Sequence, residues 1–154
     1  MPSTPSGTSI TFAQLNELAR RYAASLTAQA TLTAEPLREL ITEDVHWADP
    51  LLPQPLMGAQ AVLDFTLTNF HTFPDLVCEI PESPYLSEDG KRAVFYWRLS
   101  GTMKGALPNG VPATGKYVSV EGMDRWEFRD GRISRYRAFY DVMDLLKQCG
   151  LMPA

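Results

Sequence analysis

The spacing of apolar residues changes from a helical period to an alternating one about halfway along the chain. From residue 11 to about 28, apolar side chains recur every three or four positions, and Thr11 with Gln14 matches a capping box, which predicts a first helix. Later runs are rich in aromatic and β-branched residues and are separated by turn sequences. They predict strands over 77–80, 92–103, 116–128 and 132–140. Helices followed by antiparallel strands indicate an α+β fold.

Shorter elements complete the predicted layout. They are a second helix from Thr33 to near Thr42, a strand at Val45–Trp47, a third helix from Gly58 to before Pro74 and a last helix over Val142–Cys149. Asp141 stands where the last helix needs an N-cap. The segment from Gly101 to Gly115 is longer than an ordinary hairpin turn, which indicates a functional or closing loop.

The composition bounds the class of protein. With 154 residues, 45% apolar and 21% charged, the chain has material for one globular domain, which we place at residues 10–154. Residues 1–9 carry no basic and apolar leader and are expected to form a flexible tail. No apolar run is long enough to span a bilayer, so we expect a cytoplasmic protein without a membrane partner. A net charge of −4 argues against nucleic acid, and two cysteines with two histidines argue against a metal site.

Asp124 is the most informative polar residue, because it shares a strand face with apolar side chains in the segment 116–128. A buried carboxylate is costly unless a donor meets it or its pKa rises and it stays protonated. Both states have uses in catalysis. Two structural interpretations stay open, namely an ion pair with Arg98 or Arg137 and a bulge near Gly122 that changes the register.

Two further polar side chains fall on predicted apolar faces. Asp49 shares its face with Val45 and Trp47, and a carboxylate beside an indole suits a general base. An aspartate before Pro50 is equally the usual start of a turn. Tyr22 lies on the buried stripe of the first helix, where its hydroxyl either stabilises a developing oxyanion or bonds to a backbone carbonyl.

The chain has enough aromatic side chains to line an apolar cavity as well as to fill a core. We expect five of them to contact a small hydrophobic molecule: Trp47, Phe65, Trp97, Trp126 and Tyr140. The sequence contains no Gly-rich phosphate loop, Ser-His-Asp spacing or Cys-His pair. Nucleotide binding and serine or cysteine hydrolysis are therefore not indicated, and no cofactor is expected.

Several segments resemble a known superfamily. They lie at 43–50, 58–62, 73–76, 97–102, 112–116, 128–133 and 141–150, and include Trp47-Ala48-Asp49-Pro50 and Phe73-Pro74-Asp75-Leu76. Through them the chain is similar, over about residues 10–150, to the SnoaL-like polyketide cyclases and ketosteroid isomerases of the nuclear transport factor 2-like superfamily. The resemblance implies a single-domain, cystatin-like cone, in which a curved antiparallel sheet wraps around the N-terminal helices. It also implies a homodimer.

The resemblance assigns roles to three residues. Ketosteroid isomerases use an aspartate as base, with a tyrosine of the first helix and an aspartate of a later strand as donors to the oxyanion. Asp49, Tyr22 and Asp124 fall on these three positions. Two of them, Asp49 and Asp124, were placed inward by the strand pattern alone.

The sequence departs from two related patterns. SnoaL-type cyclases carry an acid in the last strand, at the position that aligns with Ala138. Limonene epoxide hydrolases share Arg98 but need acids at the positions of Ser100 and Ala138. A rearranged acid pair for hydration would require Asp141 to face the pocket.

These observations predict a cofactor-free enzyme that performs acid–base chemistry at an enolisable carbonyl of a hydrophobic, polyketide- or steroid-like molecule. Double-bond isomerisation and aldol-type ring closure both fit. A non-catalytic binding protein for a small hydrophobic ligand and an epoxide hydrolase-like hydration stay open as alternatives.

Overall fold

The computed structural model describes residues 7–27 and 33–153. Residues 1–6 of the predicted tail lie outside the described residues. The rest of that tail is hydrogen-bonded, because the amide of Thr8 donates to the carbonyl of Phe128 and the hydroxyl of Ser9 donates to the carbonyl of Asp89. From Thr8 onward the described chain is thus tied to the sheet.

The described residues form four helices, and none of these is long and apolar enough to cross a membrane. They are α1 (Phe12–Ser25), α2 (Glu35–Arg38), α3 (Ala59–Thr72) and α4 (Val142–Gln148). The predicted capping box of Thr11 and Gln14 is confirmed at the start of α1. Asp141 caps α4 as predicted, since its side chain accepts from the amide of Asp144.

The described residues also form seven strands in one sheet. They are β1 (Ile41–Ala48), β2 (Leu56–Met57), β3 (Val77–Glu79), β4 (Tyr85–Leu86), β5 (Arg92–Thr102), β6 (Tyr117–Arg129) and β7 (Arg132–Tyr140). The order across the sheet is β2-β1-β7-β6-β5-β3, and β4 also pairs with β5. The pairing is antiparallel except between β1 and β7, which run parallel.

The predicted single-domain α+β fold is confirmed. The sheet is curved and unclosed, and α1 and α3 cover one of its faces. Leu15 and Tyr22 of α1 pack with Val62 and Leu63 of α3 in one core, together with the inward side chains of the long strands. The opposite face of the sheet carries the exposed side chains.

Three details of the predicted layout are wrong. The second helix ends at Arg38, because a turn at Glu39 and Leu40 leads into β1 and the carbonyl of Leu40 accepts from the amide of Ile133 in β7. The two short strands β2 and β4 were not predicted, and neither was the parallel pairing of β1 with β7. Sheet pairing between distant segments overrode local spacing here.

The long segment after Gly101 is a closing loop. Its base is held by backbone hydrogen bonds from Met103 to Lys116 and from Gly115 to Met103. Met103 is fully buried beside Val118 in a second, smaller core. The loop is therefore packed as a structural unit.

Gly122 of β6 leaves room for the indole of Trp97, which reaches across from the neighbouring strand β5. A Cβ atom at Gly122 would stand 2.5 Å from a ring carbon of Trp97 and 2.6 Å from the carbonyl oxygen of Phe139. Such distances are shorter than van der Waals contact, so a side chain would displace the indole or β7. The missing side chain lets the indole nitrogen reach Asp124.

We expect Gly122→Ala to lower the free energy of unfolding by about 1–3 kcal/mol, because the added methyl group overpacks the site. Urea denaturation measures the change. Ser119→Ala is the matched control, since Ser119 lies on the exposed face of the same strand. Equal stability of the two variants would contradict the close approach of Trp97.

Candidate active site

Asp124 lies in the middle of β6 on the face that packs against the helices. It pairs with Phe95 on β5 and with Ala138 on β7, and its side chain is fully buried. The pairing of β6 with both neighbours continues in register through Gly122, and the shift against β7 comes only after Glu127. The inward placement of Asp124 is therefore confirmed, and the interpretation as a bulge is wrong.

One hydrogen bond of normal length reaches the Asp124 carboxyl. The indole nitrogen of Trp97 donates to Oδ1 at 2.8 Å, and no described group hydrogen-bonds to Oδ2. Burial raises the pKa of Asp124 to about 7. Four neighbouring side chains lower this pKa by less than burial raises it: Trp97, Tyr136, Tyr22 and Trp126. The free Oδ2 is the oxygen that can carry the proton.

The ion pair considered for Asp124 is absent among the described residues. Arg98 pairs with Glu79 and Glu121 on the outer face of the sheet, at 3.5 and 3.3 Å. Arg137 lies over the ring of Phe139, also on that face. The carboxyl is therefore buried among aromatic rings without a neutralising cation.

Tyr136 is a site residue that the sequence analysis missed. Its hydroxyl accepts from the hydroxyl of Tyr22 at 3.4 Å, and its ring stacks on Trp47 with the centroids 3.5 Å apart. Burial raises the pKa of both phenols, so both stay protonated as donors. The available signal was position, because Tyr136 has the same parity in β7 as Ala138 and Tyr140.

Asp49 follows β1 directly and turns back toward the core. Its Oδ1 accepts from the hydroxyl of Tyr140 at 2.6 Å and from the amide of Leu51 at 2.9 Å. The bond to Leu51 confirms the turn interpretation, and the bond to Tyr140 shows that the carboxyl also belongs to the interior. Burial raises the pKa of Asp49, while the bonds from Tyr140 and Leu51 lower it.

Two small cavities lie beside α3, the outer one between α3, α4 and the sheet and the inner one between α3, α1 and the sheet. The outer cavity has a volume of about 100 Å³ and the inner cavity about 60 Å³. Both are lined by Asp49, Asn69, Leu76, Leu99 and three rings, Phe65, Trp97 and Tyr136. The lining is mostly apolar with a few polar groups, which is usual for a small-molecule site.

An open groove adjoins the outer cavity. It has a volume of about 500 Å³ and lies between the segment 50–55 and the outer face of β7. Asp49 and Tyr140 line both the outer cavity and this open groove. The two residues therefore form the boundary between an enclosed space and a solvent-accessible one.

Most of the predicted site residues line the cavities. Asp49, Phe65 and Trp97 line both, Tyr22 and Trp47 line the inner cavity, and Tyr140 lines the outer cavity. Asp124 lines neither cavity, but it contacts the lining residues Trp97, Tyr22 and Tyr136 on the side away from the cavities. Trp126 also lines neither and packs on Tyr22 and Phe95, so its contact with a ligand stays a prediction.

The positions that depart from related patterns are also defined. Ala138 is buried directly across the strand pair from Asp124, and Ser100 lines the outer cavity. Asp141 is exposed, serves as the helix cap and lines neither cavity. Hydration by a rearranged acid pair would require Asp141 in the pocket, and Asp141 is not there.

Among residues 7–27 and 33–153, no three His, Cys, Asp or Glu side chains are grouped to hold a metal ion.

The curved, unclosed sheet with its covering helices is a fold shared with SnoaL-like and nuclear transport factor 2-like proteins. A family model of SnoaL-like polyketide cyclases matches residues 16–149. The protein therefore belongs to the SnoaL-like polyketide cyclase family. No curated protein sequence matches the chain.

Solved structures share the fold at low sequence identity. A protein of Jannaschia sp. CCS1 assigned as a SnoaL-like polyketide cyclase is 22% identical, with a TM-score of 0.78 over 99% of each chain. IdmH of Streptomyces antibioticus, assigned as a polyketide cyclase, is 22% identical, with a TM-score of 0.71 over 89% of this chain and 99% of its own. A ketosteroid isomerase-like protein of Catenulispora acidiphila, solved with trimethylamine, is 18% identical, with a TM-score of 0.72 over 88% and 94%.

We expect Asp124 to make stability depend on pH. Its pKa is raised on folding, so the stabilisation is present below pH 4 and is lost as the pH rises through about 7. A rise from 3.8 to about 7 corresponds to roughly 4 kcal/mol. Urea denaturation between pH 4 and 8 should therefore show a steeper fall in unfolding free energy for wild type than for Asp124→Asn.

The control for this experiment is Asp130→Asn. Asp130 is exposed and has a φ of 54°, a conformation that asparagine tolerates. Its pH dependence should match that of wild type. Equal slopes for wild type and Asp124→Asn would show that the buried carboxyl does not titrate in this range.

Proposed function

We propose that this protein is a cofactor-free enzyme that performs acid–base chemistry at an enolisable carbonyl of a hydrophobic, polyketide- or steroid-like molecule. The observation that carries the proposal is the environment of Asp49. Its carboxyl lines an apolar cavity, has a raised pKa and makes no ion pair among the described residues. A desolvated carboxylate of this kind is a suitable general base.

The proposed reaction begins when Asp49 removes a proton from the carbon next to the carbonyl. The electron pair of that C–H bond moves onto the carbonyl oxygen and forms an enolate. Tyr136 lines both cavities and accepts from the hydroxyl of Tyr22. In the proposed reaction, Tyr136 of this phenol pair donates to the oxygen as charge develops, and Tyr22 supports it by donating to Tyr136. In isomerisation Asp49 returns the proton at the far end of the conjugated system. In cyclisation the enolate carbon attacks a second carbonyl of the same molecule, the π electrons of that carbonyl move onto its oxygen, and this oxygen takes the proton from Asp49.

Asp124 has an indirect part in this proposal. It touches Trp97, Tyr22 and Tyr136 and does not line the cavities, so we assign it as a positioning residue behind the phenol pair. A neutral carboxyl there avoids placing negative charge beside a developing oxyanion.

The size of the site limits how a ligand enters. An apolar cavity of about 150 Å³ is enough for benzene. The outer cavity alone, at about 100 Å³, is smaller than this, but it shares seven lining residues with the inner cavity of about 60 Å³, so a ring at Asp49 would use the space of both. We therefore expect one ring of the substrate at Asp49 and its remainder in the open groove, which shares Asp49 and Tyr140 with the cavity. Membership in a family of small-molecule cyclases supports this class of ligand.

We expect wild type to conjugate β,γ-unsaturated ketones and Asp49→Asn to lose at least about 100-fold in rate, because general-base catalysis contributes about that much. Ultraviolet absorbance follows the conjugation of cyclohex-3-enone, which has one ring, and of a steroid ketone. Asp64→Asn is the matched control, since Asp64 is exposed on α3.

The result has two informative outcomes. Turnover that is lost only in Asp49→Asn supports proton transfer by Asp49. Wild-type rates equal to those of buffer would overturn simple isomerase activity. They would favour cyclisation of a dedicated substrate or ligand binding without chemistry.

The family resemblance also leads us to propose a homodimer, paired through the outer face of the sheet. Met123 and Phe139 stand directly opposite each other on this face and are 38% and 50% exposed. Paired apolar side chains with this exposure are suited to an interface.

We expect Phe139→Glu to shift the dimer to monomer, because it would bury a charge against its symmetry mate. Sedimentation velocity measures the change. Phe12→Glu, on α1, is the control, since it places the same charge at a ring that is 49% exposed and α1 covers the opposite face of the sheet. A monomeric wild type would contradict the proposal.

A further inference from the structure

A short hydrogen bond in the cavity wall connects the ends of the two strands that run parallel. Asp49 follows the end of β1, and Tyr140 is the last residue of β7. Because β1 and β7 are adjacent and parallel, their C-terminal ends lie side by side, and the hydroxyl of Tyr140 reaches Oδ1 of Asp49 at 2.6 Å. Hydrogen bonds from a hydroxyl to a carboxylate at this distance are among the strong ones.

The hydrogen bonds to Asp49 are unevenly shared between its two oxygens. Tyr140 and the amide of Leu51 both donate to Oδ1, and no hydrogen bond from a described residue reaches Oδ2. One oxygen of the carboxylate is therefore held at two points. The other is left to accept a proton.

Tyr140 is itself held in place. Its ring packs edge-on against Trp97, with the centroids 5.6 Å apart. Trp97 is in turn fixed by its hydrogen bond to Asp124. The position of the hydroxyl is thus set by packing as well as by its bond to Asp49.

Among the charged and titratable groups around Asp49, Tyr140 is the one that hydrogen-bonds to its carboxylate. Tyr136 and Tyr140 line the outer cavity beside it, and His46 and Arg137 line the open groove. Neither His46 nor Arg137 is a partner of the Asp49 carboxylate among the described residues, whose hydrogen bonds to it come from Tyr140 and the amide of Leu51. Burial and the charge of Asp49 raise the pKa of Tyr140, so this phenol acts only as a donor.

We propose that Tyr140 is a positioning residue for proton transfer, which fixes Oδ1 of Asp49 and directs Oδ2 to the substrate. This inference rests on the proposed function and deepens it. The hydrogen bond opposes the rise in the pKa of Asp49 that burial causes. It also limits rotation of the carboxyl, which keeps the base in a productive orientation.

Tyr140→Phe tests the inference, because it removes the hydroxyl and keeps the ring against Trp97. The pKa of Asp49 should rise, since a bond that lowers it is lost. The acidic limb of the profile of kcat/KM against pH should move to higher pH. We expect kcat to fall roughly tenfold to hundredfold, as for a lost hydrogen bond to a charged group, with KM little changed.

The first measurement needs no substrate. The carboxyl carbon of Asp49 is titrated by NMR in wild type and in Tyr140→Phe, with Asp49→Asn to assign the signal. The second measurement is the pH profile with cyclohex-3-enone. Tyr117→Phe is the matched control, since its side chain is 64% exposed and lines neither cavity.

The two measurements separate the two proposals. A higher pKa of Asp49 in Tyr140→Phe, together with a displaced acidic limb, supports the inference. An unchanged titration of Asp49 in a folded Tyr140→Phe overturns it, whatever the activity. A shifted titration without turnover of any ketone by wild type removes the proposed function and leaves the hydrogen bond as the determinant of the Asp49 pKa.

A second variant guards against a failure to fold. Tyr140→His keeps an aromatic ring with an N–H donor, so it should retain more activity than Tyr140→Phe and a lower pKa of Asp49. Equal pKa values of Asp49 in the two variants would show that a donor at position 140 does not set this pKa, and would overturn the inference.

Discussion

The hydrogen bond from Trp97 to Asp124 is the interaction on which the arrangement of the site depends. A carboxyl in the middle of an apolar strand face is costly, and this bond is its only one of normal length among the described residues. It forms because β5, β6 and β7 stay in register and because Gly122 leaves room for the indole. The same indole then forms a wall of both cavities and packs on Tyr140. The core and the site therefore share one constraint.

The residues that local pattern could predict are those whose faces are set by alternation within a strand. Asp124 and Asp49 were placed inward for this reason, and the structure agrees. The same rule put Trp126 inward, but alternation does not distinguish a cavity wall from a filled core. Which inward ring borders empty space depends on the neighbouring strands and helices. Trp126 is surrounded by the rings of Tyr22, Phe95 and Phe128, whereas Trp97 borders both cavities.

The missed features all depend on contacts between distant segments. The strand β2 has two residues and exists only because the chain folds back on β1. The parallel pairing of β1 with β7 places Trp47 beside Tyr136 and brings Asp49 near Tyr140. No local spacing carries this information, since the two strands lie more than eighty residues apart along the chain. The fold class was accessible from sequence, while the hydrogen bonds of the site required the topology.

The two buried carboxyls differ in a way that suits opposite protonation states. Asp49 borders an open groove and accepts two hydrogen bonds, which favour its charged form against burial. Asp124 is fully enclosed, has one such bond, and its pKa is raised to about 7. The hydrogen bonds to Asp49 favour its carboxylate form, whereas the burial of Asp124 favours its neutral acid. A base at the cavity and a neutral group behind the phenols can then coexist on one sheet. Tyr140 and Trp97 connect the two carboxyls, so a change at either one alters the packing that orients the other.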